Sequence, residues 1–147
     1  IDVDVVNLFK QVKFELEDKI KAANLEFRCT YPEEKVILPL DSQKTYRIFE
    51  NFLVNIVKYA MPHTRVYVEI TKEKEKVRIR MKNVSATELN FNPEELTERF
   101  VRGDTARNTE GSGLGLAIAK SFTELQKGKL KIETEADLFK VEVQLGT

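Results

Sequence analysis

Apolar residues recur at spacings of three and four near the beginning of the chain, as on one face of an amphipathic helix. This first stripe consists of Val5, Leu8, Phe9, Val12, Leu16 and Ile20. The pattern predicts a single opening helix that ends near Asn24. Two stretches of strand character follow, residues 25–31 and 36–38, on either side of the turn-forming sequence Pro32-Glu33-Glu34-Lys35. A first β-hairpin is therefore predicted.

The second helical stripe is the longest in the chain and predicts the main core element. Asp41 or Ser42 is a suitable N-cap, and Pro62 ends the pattern, so the helix should run to about Ala60. Its apolar arc contains Ile48, Phe49, Phe52, Leu53, Ile56, Val57 and Ala60.

Strict alternation of apolar and charged residues then predicts a hairpin from residues 65–71 and 76–82, with a charged tip at 72–75. A less regular stretch begins at Asn83, a short helix is expected from Pro93 to about Phe100, and residues 102–112 have the composition of a loop. A helix over 114–126 closed by Gly128, and a final hairpin from 130–134 and 139–145, complete the predicted order. Antiparallel strand pairs mixed with helices predict an α+β two-layer sandwich.

The bulk composition narrows the function classes. The 147 residues suit one domain, and 24 basic residues balance 24 acidic ones, so no net field attracts nucleic acid or an anionic membrane. The apolar runs are short and interrupted by charge, which predicts a soluble chain without a membrane span or signal peptide. Cys29 and His63 are the single residues of their types, so a disulfide framework or zinc site is excluded. The chain begins at Ile1 and enters directly on a predicted helix, from which we expect a fragment of a longer protein.

The stretch Gly111-Ser112-Gly113-Leu114-Gly115-Leu116 runs directly into a helix-favouring segment. Glycines let backbone amides approach an anion closely, and the first turn of a helix offers unpaired N–H groups and the positive end of the helix dipole. The stretch is therefore a candidate phosphate-binding segment. A flexible loop before an ordinary helix is the alternative.

Polar residues of the central helix form a second candidate. Asn51, Asn55 and Lys58 fall within an arc of roughly 60° beside the apolar face. Asparagine has a lower helix propensity than alanine, and an amide at the margin of a buried arc is unfavourable unless it has a partner. A metal ion or a phosphate would supply one. In the alternative interpretation, both amides face solvent and Lys58 belongs to a charged surface.

The order of these motifs resembles the catalytic and ATP-binding domain of sensor histidine kinases over nearly the whole chain. The sequence from Arg47 to Tyr59 looks like the N box of that family, Glu98 to Asp104 looks like its F box, and Gly111 to Leu116 looks like its second glycine box. The family is a branch of the ATPase superfamily that includes DNA gyrase, MutL and heat-shock chaperones. The resemblance implies a Bergerat-type fold, with a largely antiparallel mixed sheet and helices on one face.

The resemblance also implies Mg·ATP as ligand and a role for each matching residue. Asn55 would bind Mg²⁺, Asn51 would be a second polar contact, and Lys58 would reach the phosphates. Tyr59 would lie beside the base or ribose, Arg99 or Arg102 would face the triphosphate, and residues 103–112 would form the ATP lid. The implied contacts of the second glycine box are Gly111, Ser112, Gly113, Leu114, Gly115 and Leu116.

The first glycine box of the family, Asp-x-Gly-x-Gly, is altered in this chain. The corresponding residues are Asn83-Val84-Ser85-Ala86-Thr87, so both glycines are missing and an amide replaces the carboxylate. The family aspartate accepts a hydrogen bond from the adenine amino group, and Asn83 can also accept one. Because an amide can donate as well, selectivity for adenine over guanine should be weaker.

The expected chemistry is phosphoryl transfer. ATP-hydrolysing relatives carry a glutamate base at the position of Asn51, and an amide cannot take a proton from water. His63 follows Pro62 in a predicted loop and is not expected to be the phosphoacceptor. The resemblance places that histidine on a dimerisation domain outside this chain, with a response regulator downstream and a cytoplasmic location beneath a membrane-bound sensor. An anti-sigma-factor serine kinase and a non-catalytic interaction module of the same fold are the alternatives.

Overall fold

The structure, a computed structural model, describes residues 1–89 and 114–146. Its helices are α1 (Val5–Glu15), α2 (Glu17–Ala22), α3 (Ser42–Tyr59) and α4 (Leu114–Leu125). Its strands are β1 (Asp2–Asp4), β2 (Leu25–Thr30), β3 (Ile37–Pro39), β4 (Thr64–Glu73), β5 (Lys76–Val84), β6 (Lys129–Glu135) and β7 (Leu138–Gly146). None of the helices in this part of the chain is both long and apolar enough to cross a membrane.

A five-stranded sheet in the order β2-β4-β5-β7-β6 forms one layer. Strand β2 runs parallel to β4, and the other neighbours are antiparallel. In the centre, Ile70 of β4 lies opposite Ile79 of β5, which lies opposite Val143 of β7. All three side chains are buried, whereas alternate residues point to the other face. One face of the sheet therefore carries the core, as the α+β prediction requires.

Helix α3 is the main core element, as predicted. Asp41 is its N-cap, and its carboxylate accepts a hydrogen bond from the Lys44 N–H at 2.9 Å. The predicted arc is buried except for Val57, which is half-buried. Phe49 packs edge to face on Phe9 of α1, with the ring centroids 5.4 Å apart. The alternation-based predictions of the β4–β5 and β6–β7 hairpins are also confirmed.

The predicted first hairpin is wrong. Strand β2 pairs in parallel with β4, and β3 pairs with β1, so β2 and β3 are not neighbours. The hydrophobic pattern identifies a strand but not its partner, because pairing depends on contacts between residues far apart in sequence. The single opening helix is likewise wrong, since Leu16 adopts φ −101° and ψ 9° and separates α1 from α2. Asn83, predicted to begin an irregular stretch, lies within β5.

Helix α4 ends where the sequence predicts, but Gly128 is not the left-handed residue. Lys127 adopts φ 63°, and its N–H donates to the Glu124 carbonyl at 2.9 Å. The Gly128 N–H donates to the Thr123 carbonyl, also at 2.9 Å, which completes a Schellman motif. Gly128 is required for a different reason: a Cβ atom there would overlap the backbone oxygen of Gln144.

Candidate functional site

The two strongest sequence candidates meet where α3 packs against α4. Gly115, in the first turn of α4, lies directly against the side chain of Asn51 on α3. A Cβ atom placed on Gly115 would be 3.4 Å from Asn51 Oδ1 and 3.5 Å from its Cβ. The structure thus brings Gly115 and Asn51 together, although more than sixty residues separate them in sequence. The first turn of α4, whose N–H groups have no acceptor within their own helix, and the positive end of its dipole lie beside this polar side chain.

The amide of Asn51 is incompletely satisfied. Its Nδ2 atom is buried and has no hydrogen-bond partner among residues 1–89 and 114–146. A buried donor without an acceptor costs about 1–3 kcal/mol, so it indicates a partner such as a ligand oxygen or a bound water. The sequence analysis argued that an asparagine amide beside the buried arc of this helix needs a partner. Asn51 is such a residue, and its Nδ2 donor lacks a partner in the described part of the chain.

Asn55 and Lys58 continue from Asn51 toward the end of α3. Asn55 is half-buried, and Lys58 is exposed in the last turn, where a positive charge also suits the helix dipole. The described residues contain no group of three or more His, Cys, Asp or Glu side chains that could hold a metal. Mg²⁺ is commonly held by one or two protein oxygens together with nucleotide phosphates. The Asn55 amide oxygen fits such a shared site.

The altered first glycine box is attached to the end of α3. The Ala86 N–H donates to the Tyr59 carbonyl, and the Met61 N–H donates to the Val84 carbonyl, both at 2.8 Å. Tyr59 is about a third exposed at 36%, and its partial burial raises the pKa of its phenol, which stays neutral at physiological pH. Asn83 is 3% exposed at the end of β5. The predicted base-contacting residues thus belong to one connected region.

Ser85 and Thr87, which stand where the family pattern has glycine, are hydrogen-bonded to each other. Ser85 is buried, its N–H donates to the Asp137 carbonyl at 2.7 Å, and its hydroxyl accepts from the Thr87 N–H at 3.2 Å. Serine side chains stabilise turns in this way. The segment is therefore held by a side-chain hydrogen bond where the family pattern has flexible glycine.

The side chains of Leu116 and His63 are not brought into the site, and several predicted site residues lie outside the described residues. Leu116 is 1% exposed, so its side chain packs in the core and only its backbone could face a ligand. Leu114 begins α4, and His63 is an exposed loop residue with φ 67°. The predictions that lie outside the described residues are Arg99, Arg102, Gly111, Ser112, Gly113 and the lid 103–112.

Two polar residues that join α3 to α4 were not predicted from the sequence. Thr45 is fully buried on α3, and Gln126 follows α4 and contacts the beginning of α3 through its side chain. Thr45 shares the three- and four-residue spacing of the α3 arc, so periodicity could have identified it. Gln126 has no such signal, because its partners lie more than eighty residues away.

Comparison with known proteins identifies the family. The model of the family described as histidine kinase-, DNA gyrase B-, and HSP90-like ATPase matches residues 40–146. The chain is 34% identical over 97 residues to the probable sensor protein PcoS of Escherichia coli, covering 65% of this chain and 21% of that protein. It is 29% identical over 148 residues to the sensor protein VanSC of Enterococcus gallinarum, covering 97% and 39%. The chain thus spans between a fifth and two fifths of the length of these curated relatives.

Solved structures agree with this fold. The catalytic domain of the histidine kinase ThkA superposes with a TM-score of 0.82 at 21% identity, covering 99% of this chain and 94% of that one. The mycobacterial sensor histidine kinase MprB superposes with a TM-score of 0.78 at 22% identity, covering 99% and 96%. The anti-sigma-factor alternative is not favoured, since the matched relatives are sensor proteins and sensor histidine kinases. The chain therefore belongs to the family of histidine kinase-, DNA gyrase B- and HSP90-like ATPases, as an ATP-binding domain of the sensor histidine kinase type.

Proposed function

We propose that this domain binds Mg·ATP between α3 and the glycine segment that leads into α4, and presents the γ-phosphate to a histidine on a separate dimerisation domain. The buried Nδ2 atom of Asn51 beside Gly115, which has no partner within the described part of the chain, carries this proposal. A phosphate oxygen or a water bound with the nucleotide would satisfy that donor. The first turn of α4 would supply further N–H groups to the same anion.

The remaining site residues have roles that suit their chemistry. Asn55 would hold Mg²⁺ through its amide oxygen, and Lys58 would reach the phosphates from the last turn of α3. When bound, the ion neutralises charge on the phosphates. Tyr59 would cover the base or ribose, and Asn83 would accept a hydrogen bond from the adenine amino group.

The family resemblance supplies the rest of the proposal. Arg99 or Arg102 would contact the phosphates, and residues 103–112 would form a lid. Gly111, Ser112 and Gly113 would contribute backbone N–H groups next to Gly115.

The proposed chemistry is transfer to a partner. Asn51 occupies the position from which a carboxylate would take a proton from water, and an amide has no such basicity. The γ-phosphoryl group would therefore remain on ATP until a histidine nitrogen bonds to phosphorus and ADP leaves, with catalysis from positioning and charge stabilisation. The partners would be the dimerisation domain of the same kinase and a response regulator downstream, on the cytoplasmic side of a membrane-bound sensor.

One observation favours a second candidate, a non-catalytic interaction module. Ser85 and Thr87 replace the glycines of the first box and form a local hydrogen bond of their own. A stiffer and narrower approach to the base would reduce nucleotide affinity. Such a module would keep the fold without binding ATP.

Calorimetric titration with ATP, with and without Mg²⁺, tests the proposal. We expect binding that is tighter with Mg²⁺, and we expect Asn55→Ala to lose that difference because its metal oxygen is gone. Asn7→Ala, an exposed asparagine on α1 far from the site motifs in sequence, is the matched control and should bind as the unaltered domain does.

The outcomes separate the candidates. Absence of binding at millimolar ATP would favour the non-catalytic module, and unchanged Mg²⁺ dependence in Asn55→Ala would contradict the metal assignment. With radiolabelled ATP, the domain alone should acquire no stable label, since the acceptor histidine would lie elsewhere. Stable label on the domain by itself would contradict transfer to a separate domain.

A further inference from the structure

The interface between α3 and α4 places Gly115 against Asn51 at one end and the Gln126 amide against the start of α3 at the other. The helices run antiparallel, because Gly115 at the start of α4 contacts Asn51 while Gln126, just after α4, contacts Asp41 at the start of α3. Between them, the Lys44 ammonium lies 5.8 Å from the ring centroid of Phe122. On α4, the positions 115, 119, 122 and 126 follow the four-three-four spacing of one helix face.

The side-chain amide of Gln126 is engaged at both of its polar atoms. Its Oε1 accepts a hydrogen bond from the Asp41 N–H at 2.8 Å, and its Nε2 donates to Thr45 Oγ1 at 3.3 Å. The Thr45 hydroxyl in turn donates to the Asp41 carbonyl at 2.8 Å. Thr45 is fully buried, and it receives the amide within the first turn of α3. The two hydrogen bonds of the amide join the end of α4 to the beginning of α3, and the Thr45–Asp41 bond orients the Thr45 hydroxyl within α3.

We propose that Gln126 is a positioning residue, whose side-chain amide sets the register of α4 against α3 and so places Gly115 against Asn51. Toward the site end of α4, this face carries two small residues, Gly115 and the fully buried Ala119. Small side chains allow close approach but interdigitate little, so they resist sliding weakly. Hydrogen bonds are directional and short, and sliding by one residue, about 1.5 Å, would break both bonds of the amide.

The consequence for the nucleotide depends on the proposed function. Gln126 lies eleven positions after Gly115, about 16 Å along the helix, so it cannot touch a ligand held at the first turn. Its effect on ATP would pass through the axial position of α4, which carries the glycine segment at its other end. Substitution of Gln126 would therefore change the affinity of the domain for Mg·ATP, although Gln126 does not contact the ligand.

Gln126→Met tests the proposal, because methionine has similar length but forms neither hydrogen bond. Measured well below the unfolding temperature of the variant, the Kd for Mg·ATP should rise about fivefold. This is the size of effect expected for residues coupled through one hydrogen-bond network. Nitrogen–proton NMR spectra should show shifts at the Gly115 amide and the Asn51 side-chain amide. Ile20→Val, at a buried residue of α2, is the control that lowers stability away from this interface. It should leave both the Kd and the Gly115 and Asn51 resonances unchanged.

Thr45→Val and Thr45→Ser form a second test of the same network. Valine removes the hydroxyl that accepts from Gln126, whereas serine keeps it, so only Thr45→Val should reproduce the Gln126→Met shifts. This pair decides the matter if Gln126→Met does not fold.

An unchanged Kd together with unchanged Gly115 and Asn51 resonances in folded Gln126→Met would overturn the positioning role. If the unaltered domain binds no ATP, the proposed function fails, and the resonances still test whether Gln126 places Gly115.

Discussion

Two glycines at opposite ends of α4 are present for different physical reasons. Gly128 has no room for a side chain, because a Cβ atom would overlap the backbone oxygen of Gln144. At Gly115 a Cβ atom would make only ordinary contact with Asn51, at 3.4 Å. Gly115 also lies within a regular helix and not in the left-handed region. Packing therefore requires Gly128 but does not require Gly115, where the proposed function would have a ligand approach the backbone.

Substituting each glycine by alanine should separate these reasons. Gly128→Ala should lower the free energy of unfolding by about 1–3 kcal/mol through overpacking. Gly115→Ala should change that free energy by less than about 1 kcal/mol, yet weaken Mg·ATP binding because its methyl group would lie against the Asn51 amide, where the proposed phosphate binds. Urea denaturation and calorimetric titration measure the two effects. Native affinity in Gly115→Ala would remove this glycine from the proposed site, and native stability in Gly128→Ala would contradict the steric argument.

At the scale of elements, α1 and α3 are joined by a hydrogen bond from the Tyr46 hydroxyl to the Glu15 carboxylate. This bond lowers the pKa of Glu15, with a smaller contribution from Gln11, and it raises the pKa of Tyr46 to about 12. Both groups are at the surface, so the hydrogen bond adds little to the free energy of unfolding. The direction in which that contribution changes is nevertheless fixed, both at acid and at alkaline pH.

The Glu15 contribution is present above the carboxyl pKa of the unfolded chain, about 4.3, and is lost as pH falls through the lower folded value. The Tyr46 contribution is present below about pH 10 and is lost as pH rises through the raised folded pKa. Tyr46→Phe should therefore flatten the dependence of the urea midpoint on pH in both windows. Tyr67→Phe, at an exposed tyrosine of β4, is the control. Identical pH profiles for Tyr46→Phe and the unaltered domain would contradict the link.

At the scale of the whole molecule, the proposed site is continuous with the core. Asn51 and Gly115 lie on helices that also bury Phe52 and Leu116 in the same hydrophobic cluster as the sheet. A ligand that binds both helices should therefore stabilise the fold as a unit, because unfolding of this cluster would release it.

Mg·ATP at about a hundred times its Kd should stabilise the domain by about 2.7 kcal/mol, and should raise the Tm by about 5–10 °C for a domain of this size. Thermal unfolding followed by circular dichroism measures the shift. Asn55→Ala should lose the part of the shift that depends on Mg²⁺, while ATP alone should act on both proteins equally. A Tm independent of nucleotide would favour the non-catalytic module.

Local patterns predicted most of the elements, because periodicity and capping depend on neighbours in sequence. The α3 arc, its Asp41 cap and the two long hairpins follow from such signals. The parallel pairing of β2 with β4 could not be predicted in this way, since it joins Leu25 to Thr64 across the length of α3. The break at Leu16 was missed because the apolar stripe continues across it without a proline or glycine to mark an end.

The sequence by itself determined the fold class and predicted the residue types of the proposed site, because the motifs around Asn55 and Gly115 are contiguous and ordered. Only the tertiary structure decided which of those residues meet. It placed Gly115 on Asn51, left the Asn51 Nδ2 atom buried without a partner in the described part of the chain, and tied Gln126 to Asp41. The reason is physical: helix-to-helix register is set by contacts between residues more than sixty positions apart, and no local pattern encodes it.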